Sequence, residues 1–146
     1  MNVRCATKSD IDAIASLELS CFDDPWSKED LKSCMDKDFY DIFVIEEDKV
    51  VGYFITMTVD DCELLRICVD NEYRSKGLGT SLMQKLIQVQ QEKGIGRVLL
   101  EVRHTNQSAI RLYKKFQFTE FGVRKNYYGG NIDARLFERT LTDKLY

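Results

Sequence analysis

The sequence lacks the ligand spacing of a metal site and the long apolar runs that cross membranes. It has one histidine, and its cysteines form no Cys-x-x-Cys pair, so no metal site is expected. No apolar run approaches the ~18 residues of a membrane-spanning helix, and the first five residues lack the apolar core of a signal peptide. We therefore expect a cytoplasmic protein with no membrane partner. Its cysteines are expected to be reduced thiols, at Cys5, Cys21, Cys34, Cys62 and Cys68.

An excess of basic residues is also missing. The chain has 21 lysines and arginines against 24 aspartates and glutamates, a net charge of −3. A nucleic-acid-binding protein normally presents a basic face, so no direct nucleic-acid partner is expected. With 146 residues and no repeat, low-complexity tract or linker, the sequence predicts a single domain over residues 1–146 that buries a sizeable core.

Residues 63–93 have the pattern of an apolar strand, a glycine loop and an amphipathic helix. The strand covers 64–69, and the loop is Arg74-Ser75-Lys76-Gly77-Leu78-Gly79. The helix ends at Gly94 and has an apolar face formed by Leu78, Leu82, Met83, Leu86 and Val89. Backbone N–H groups at a helix start have no intrahelical partners, and the helix dipole favours negative charge there. The stretch therefore predicts an anion site, usually for phosphate.

Two common phosphate motifs do not fit this loop. The pattern Gly-x-x-x-x-Gly-Lys-Ser/Thr is absent from the chain. A dinucleotide fingerprint needs a third glycine where Leu82 stands. What remains is Arg74-x-x-Gly77-x-Gly79 between a strand and a helix. A strand-to-helix turn that uses its glycines only for tightness is the alternative that the loop leaves open.

The remaining segments predict a mixed α/β sheet with helices on both faces. A hydroxyl residue followed three residues later by an acidic one marks a helix start, and this occurs at Thr7 with Asp10 and at Ser27 with Asp30. The first helix is predicted to carry its apolar side chains at Ile11, Ile14, Ala15, Leu17 and Leu19. The predicted strands are 2–5, 42–46, 50–59, 64–69, 97–103, 120–123 and 134–141.

The order of elements and the glycine loop resemble the GNAT acetyltransferase superfamily. Within it the chain is most similar to the RimI type, the ribosomal-protein-alanine N-acetyltransferases. Besides the loop, the segments that carry the resemblance are Asp24-Pro25-Trp26-Ser27, Ile67-Cys68-Val69-Asp70, Leu100-Glu101-Val102-Arg103 and Asn126-Tyr127-Tyr128. The resemblance implies the GNAT fold, with a central, mostly antiparallel sheet, and acetyl-CoA as the acetyl donor.

The resemblance also implies which residues bind acetyl-CoA. The pyrophosphate would lie on Arg74, Ser75, Lys76, Gly77, Leu78, Gly79 and Thr80. Ile67, Cys68 and Val69 would offer backbone groups of a splayed strand to the pantetheine arm. Cys68 stands where the family usually has alanine, and a thiol beside a thioester raises the question of self-acylation. Asn106 is similar to the family's cofactor-contacting asparagine, but a helix N-cap would explain it equally well.

Acetyl transfer to an amine requires the neutral amine. An α-amino group of pKa ~8 costs about 1.4 kcal/mol to deprotonate at pH 7, whereas a lysine of pKa ~10.4 costs about 4.6 kcal/mol. A modest base therefore suffices for a protein N-terminus, and Glu101, inside the apolar run 98–102, is the candidate. The RimI resemblance implies the same role, directly or through water. The structural alternative is an ion pair with Arg103, and the sole histidine, His104, does not match the family's catalytic position.

Tyr113 is the second catalytic candidate. It lies seven residues after Asn106, about two turns into the predicted helix. A hydrogen bond to the departing thiolate is the minimal role for its hydroxyl, and the resemblance implies a general acid. A core tyrosine with a satisfied hydroxyl is the alternative.

The acceptor is predicted to be the α-amino group of a protein N-terminus, from a ribosomal protein. The RimI-like segments suggest Trp26, Asn126, Tyr127 and Tyr128 as substrate-binding residues. Aromatic side chains near Asp23 and Asp24 would suit a cationic N-terminus, although each could also be ordinary packing. Two other functions stay open: acetylation of a small-molecule amine, and a coenzyme A-binding module without turnover.

Overall fold

Seven strands form one sheet in the computed structural model, which describes residues 2–141. The strands are β1 (Asn2–Cys5), β2 (Tyr40–Glu46), β3 (Val50–Thr58), β4 (Cys62–Val69), β5 (Arg97–Arg103), β6 (Thr119–Arg124) and β7 (Ala134–Thr140). Their order is β1-β2-β3-β4-β5-β7-β6, and only β4 and β5 run parallel. The predicted mixed, mostly antiparallel sheet is therefore confirmed. The first residue and residues 142–146 of the predicted domain lie outside the described part.

In the described part of the chain, four α-helices cover the two faces of the sheet. They are α1 (Ile11–Cys21), α2 (Lys28–Met35), α3 (Leu78–Glu92) and α4 (Gln107–Lys115). Helices α1 and α2 pack on one face, and α3 and α4 pack on the other. None of the helices within residues 2–141 combines the length and the apolar character needed to cross a bilayer.

Period-two alternation in β2 sends successive side chains to opposite cores. Ile42 and Val44 join the core under α1 and α2, whereas Phe43 and Ile45 join the core under α3. All four side chains are buried because both faces of this strand are covered. A strand that is covered on both faces needs apolar residues at consecutive positions, and residues 42–45 form such a run.

The predicted helix start at Ser27 is confirmed. The hydroxyl of Ser27 accepts from the backbone N–H of Asp30 at 3.1 Å, and the Asp30 carboxylate accepts from the N–H of Ser27 at the same distance. At the other predicted start, the Asp10 carboxylate accepts from the N–H of Thr7 at 2.7 Å, and a short 3₁₀ turn leads into α1.

The predicted apolar face of α1 is wrong at its last member. Leu19 is 73% exposed, whereas the neighbouring Glu18 is fully buried. Glu18 lies four residues after Ile14 and seven after Ile11, so helical geometry puts it on the buried face. Leu19 is one residue further round the helix and faces solvent.

The prediction of reduced cysteines is wrong for one pair. A disulfide joins Cys21, at the end of α1, to Cys68 of β4, and the two Cα atoms are 6.6 Å apart. The absence of a Cys-x-x-Cys motif could not exclude a bond between residues 47 positions apart, because packing of α1 on the sheet brings them together. Cys5, Cys34 and Cys62 are free thiols. Since the Cys68 sulfur is bonded, it offers no thiol for self-acylation.

Candidate active site

The sheet opens between its two parallel strands. Within residues 2–141, β4 and β5 are paired only where Cys62, Glu63 and Leu64 face Val98, Leu99 and Leu100. Both strands continue beyond that pairing, β4 to Val69 and β5 to Arg103. Diverging strands leave backbone groups on their facing edges for other partners. The expected splay of the strand that contains Ile67 is therefore present.

A cavity of about 460 Å³ lies between β4, the glycine loop and the start of α4; we call it the glycine-loop cavity. The residues predicted to bind acetyl-CoA line it, with the exception of Lys76. The ammonium group of Lys76 lies 5.1 Å from the centre of the Tyr73 ring. The fold thus gathers the strand, loop and helix residues of the predicted donor site around one space.

The glycine loop is shaped to receive a phosphate group. Gly77 is the N-cap of α3 with φ of +80°, and no other atom lies within 4 Å of the position that a Cβ would take. A ligand can therefore approach the backbone N–H groups at the helix start. Lys115, at the end of α4, donates to the Thr80 hydroxyl at 3.3 Å and adds a cation beside the loop that the sequence did not reveal. These features fit the pyrophosphate of acetyl-CoA.

Asn106 lies in a position that is compatible with both of its predicted roles. Its side-chain oxygen accepts from the backbone N–H of Ala109 at 3.2 Å and caps α4. The same residue lines the glycine-loop cavity. The N-cap interpretation is confirmed, and contact with acetyl-CoA stays a prediction.

A second cavity of about 390 Å³ holds both catalytic candidates; we call it the central cavity. Glu101 of β5 and Tyr113 of α4 line it together with Ile67 of β4. Tyr113 also lines the glycine-loop cavity and is only 5% exposed. Burial, with the neighbouring Tyr128, raises the pKa of Tyr113, so its hydroxyl stays protonated and can donate.

Glu101 pairs with a cation that the sequence did not predict. The Glu101 Oε1 atom lies 3.5 Å from Nε of Arg124, and the Glu101 side chain is 34% exposed. Arg103, the partner in the structural alternative, instead stacks over the Tyr128 ring at 4.2 Å. Burial raises the pKa of Tyr128, and the nearby Glu101 charge adds to the rise. The carboxylate is therefore at the cavity surface, beside an arginine and a phenol.

His104 has a structural role at the exit of β5. Its Nδ1 atom accepts from the backbone N–H of Asp133 at 2.9 Å, and the backbone N–H of His104 donates to the Asp133 carbonyl at 3.0 Å. Within residues 2–141 it does not line the central cavity.

The four substrate-binding candidates occupy different positions. Tyr128 lines the central cavity and also an adjoining outer cavity of about 510 Å³, where Tyr127 and Phe121 lie. Asn126, with φ of +52°, accepts from the Asn131 N–H at 2.8 Å and stabilises the turn before β7. Trp26 packs partly buried against the core under α1 and α2. Neither Asn126 nor Trp26 lines the three cavities.

One wall of the central cavity was not predicted from the sequence. Phe22, Asp23 and Asp24, in the connection between α1 and α2, line this cavity beside Arg66 of β4. The only sequence signals were two charged residues among apolar ones: Arg66 within the predicted strand 64–69 and Glu18 on the apolar face of α1. The partners of those charges lie tens of residues away, so local spacing could not identify them.

Comparison with known proteins gives one consistent family. The model of the Acetyltransferase (GNAT) family matches residues 11–118. A Haemophilus influenzae [ribosomal protein bS18]-alanine N-acetyltransferase is 39% identical over 105 residues, 71% of each chain. The Escherichia coli K12 enzyme of the same name is 32% identical over 121 residues, 82% of each chain. The crystal structure of the Escherichia coli ribosomal-protein-S18-alanine N-acetyltransferase superposes with a TM-score of 0.88 at 30% identity, over 99% of this chain and 98% of that one.

Proposed function

This chain belongs to the GNAT acetyltransferase family and is an acetyl-CoA-dependent N-acetyltransferase, and we propose that its acceptor is the N-terminal α-amino group of ribosomal protein bS18. The names of the Haemophilus influenzae and Escherichia coli relatives support an N-terminal alanine as the acetylated residue. Acetyl-CoA supplies the acetyl group as a thioester. The chain's own residues bind and orient the two reactants and transfer the protons.

One observation gives the strongest support to acetyl transfer from a thioester to an amine. A carboxylate, Glu101, and a protonated phenol, Tyr113, line the same cavity, and Tyr113 also lines the glycine-loop cavity. An amine in the central cavity could therefore meet a thioester that enters from the glycine-loop cavity. A base on the amine side and a donor on the thiolate side are the two groups that this chemistry needs.

Glu101 is proposed as the general base. Its side chain is exposed enough to take the amine proton either directly or through one water molecule. The α-amine needs little help, since deprotonation at pH 7 costs it about 1.4 kcal/mol. Arg124 lies 3.5 Å from this carboxylate, on the side of the outer cavity.

Tyr113 is proposed to donate its hydroxyl hydrogen bond to the departing thiolate. The raised pKa keeps that proton in place throughout the physiological range. The ring packs beside Phe118 and Phe137, with centroids 6.0 and 6.5 Å away, which fixes its position. Backbone groups of Ile67 and Val69, on the strand edge that β5 does not pair, are proposed to bind the pantetheine arm.

The outer cavity favours a peptide acceptor over a small amine. It continues the central cavity past Glu101 and Tyr128, and its wall includes the exposed side chains of Phe121 and Tyr127. A peptide could place its first residue in the central cavity and its next residues in the outer one. A small amine would leave the outer cavity unused.

Two peptides with the N-terminal sequence of bS18 test the acceptor. One has a free N-terminus, and the other is N-terminally blocked and carries an internal lysine. We expect mass spectrometry to find the acetyl group on the α-amine of the first and none on the second. Acetylation of the blocked peptide's lysine would contradict the α-amine assignment. Turnover on small amines with neither peptide labelled would favour the small-molecule alternative.

A further inference from the structure

The connection between α1 and α2, residues 22–27, forms a wall of the central cavity without regular secondary structure of its own. Phe22, Asp23 and Asp24 face the cavity. Within the described residues, the hydrogen bonds that bind the middle of this connection to the sheet come from side chains. Such a segment keeps one conformation only if those side chains hold it.

Glu18 holds one end of the connection. Its carboxylate is fully buried, and Oε1 accepts from the backbone N–H of Trp26 at 2.8 Å. Its second oxygen accepts from the hydroxyl of Tyr53, which is also fully buried, and lies 3.4 Å from Nε of Arg66. A buried carboxylate is tolerated only when paired and hydrogen-bonded, and here the partners come from the connection and from two strands.

Arg66 holds the middle of the connection. Its Nη2 donates to the carbonyl of Asp24 at 2.8 Å. The guanidinium lies over the Phe22 ring at 4.1 Å and 5.5 Å from the centre of the Trp26 ring. Its side chain is 12% exposed, so these contacts are made with little competition from water.

The geometry points to Glu18 and Arg66 as positioning residues for the acceptor amine. They do not act on the reacting atoms; they hold residues 22–27 in the conformation that completes the central cavity opposite Glu101. This inference rests on the proposed peptide acceptor. It makes acceptor binding depend on a buried ion pair, whereas the donor site is formed by the glycine loop.

The donor site has an independent anchor. Cys21 and Phe22 border the glycine-loop cavity as well, but Cys21 is joined to Cys68 of β4. Changes at Arg66 leave that bond in place. A defect in the ion pair should therefore reach the acceptor more strongly than acetyl-CoA.

The test measures steady-state kinetics of Arg66→Gln with the free bS18 peptide. We expect the peptide KM to rise about tenfold or more while the KM for acetyl-CoA changes less than about threefold. Arg66→Lys, which keeps a donor and a charge, should recover part of the loss. Arg97→Gln is the matched control. Arg97 also bridges two carboxylates, Asp61 and Glu138, but it lies at the start of β5 and does not line the central cavity.

The chain's single tryptophan supplies a second readout. Trp26 lies in the connection itself, so in the folded protein its fluorescence reports on the surroundings of that connection. We expect a shift in emission for Arg66→Gln and for Glu18→Gln, with none for Arg97→Gln. Tyr53→Phe removes one partner of Glu18 without changing its charge and should give a smaller shift in the same direction.

Three results would overturn the inference. The peptide KM could stay unchanged although Trp26 emission shifts. The peptide and acetyl-CoA KM values could rise together with a loss of thermal stability, which would indicate a general structural role. Arg97→Gln could reproduce the effect. Activity of the unaltered protein on the peptide is measured first, so that failure of the proposed acceptor is distinguished from failure of the positioning role.

Discussion

The Glu101 carboxylate and the Arg124 guanidinium lie 3.5 Å apart, where the central cavity meets the outer one. The pair links β5 to the end of β6, two strands that are separated by β7 in the sheet. Because both side chains are partly exposed, a peptide amine can approach the carboxylate without breaking a buried ion pair. This arrangement suits a base that must alternate between bound amine and solvent.

Replacing Glu101 with Gln should lower kcat by roughly 10²-fold or more near neutral pH. The KM for acetyl-CoA should change little, because the loop residues stay intact. The loss should shrink as the pH rises past the pKa of the amine, since the solvent then supplies the neutral nucleophile. Glu138→Gln is the control, and a loss independent of pH would instead indicate a positioning role for Glu101.

Replacing Gly77 with Gln should raise the KM for acetyl-CoA at least tenfold, because a side chain would fill the space in front of the helix N-terminus. Gly94→Gln is a matched control. Gly94 has φ of +73°, close to the +80° of Gly77, and likewise has no atom within 4 Å of a Cβ position, but it follows the other end of α3. Equal KM values for both variants in folded protein would contradict the loop assignment.

Replacing Tyr113 with Phe should lower kcat about 10- to 100-fold, because the departing thiolate loses a hydrogen bond. The melting temperature should hold, since the ring keeps its packing. Burial raises the pKa of Tyr113, so its proton is retained up to and beyond pH 10. The proton of Tyr113 should therefore cause no decline in kcat as the pH rises towards 10. A decline in that range that is absent from Tyr113→Phe would contradict the donor role. Tyr40→Phe is the control.

Replacing Asp10 with Asn should lower the free energy of unfolding by about 1–3 kcal/mol at pH 7. The 6%-exposed carboxylate binds the Arg4 guanidinium and the Thr7 N–H, and the Arg4 hydrogen bonds lower the pKa of Asp10 below its ordinary 3.8. A lowered pKa gives stability that is present above pH 4 and is lost as the pH falls through the folded-state value. Denaturant unfolding should show the two proteins converging in acid; a constant difference would contradict the ionic origin.

Local patterns fixed much of this structure in advance. The strand Arg97–Arg103 has its predicted bounds, and the Ser27–Asp30 cap and the Asn106 cap lie where spacing placed them. Each depends on hydrogen bonds or side-chain alternation within a few residues. The glycine loop could be predicted for the same reason, because a strand, a turn and a helix start are contiguous in sequence.

What only the tertiary structure decided are the partners across the sheet. It set Arg124 instead of Arg103 beside Glu101, bonded Cys21 to Cys68, and buried Glu18 against Arg66. These pairs depend on strand order, on register and on how α1 crosses β4. Their members are 23 to 48 residues apart in the sequence, too far for any local spacing to relate them. The sequence by itself therefore determined the elements and the glycine loop, whereas the packing of α1 and of β6 and β7 around β4 and β5 completed the central and outer cavities.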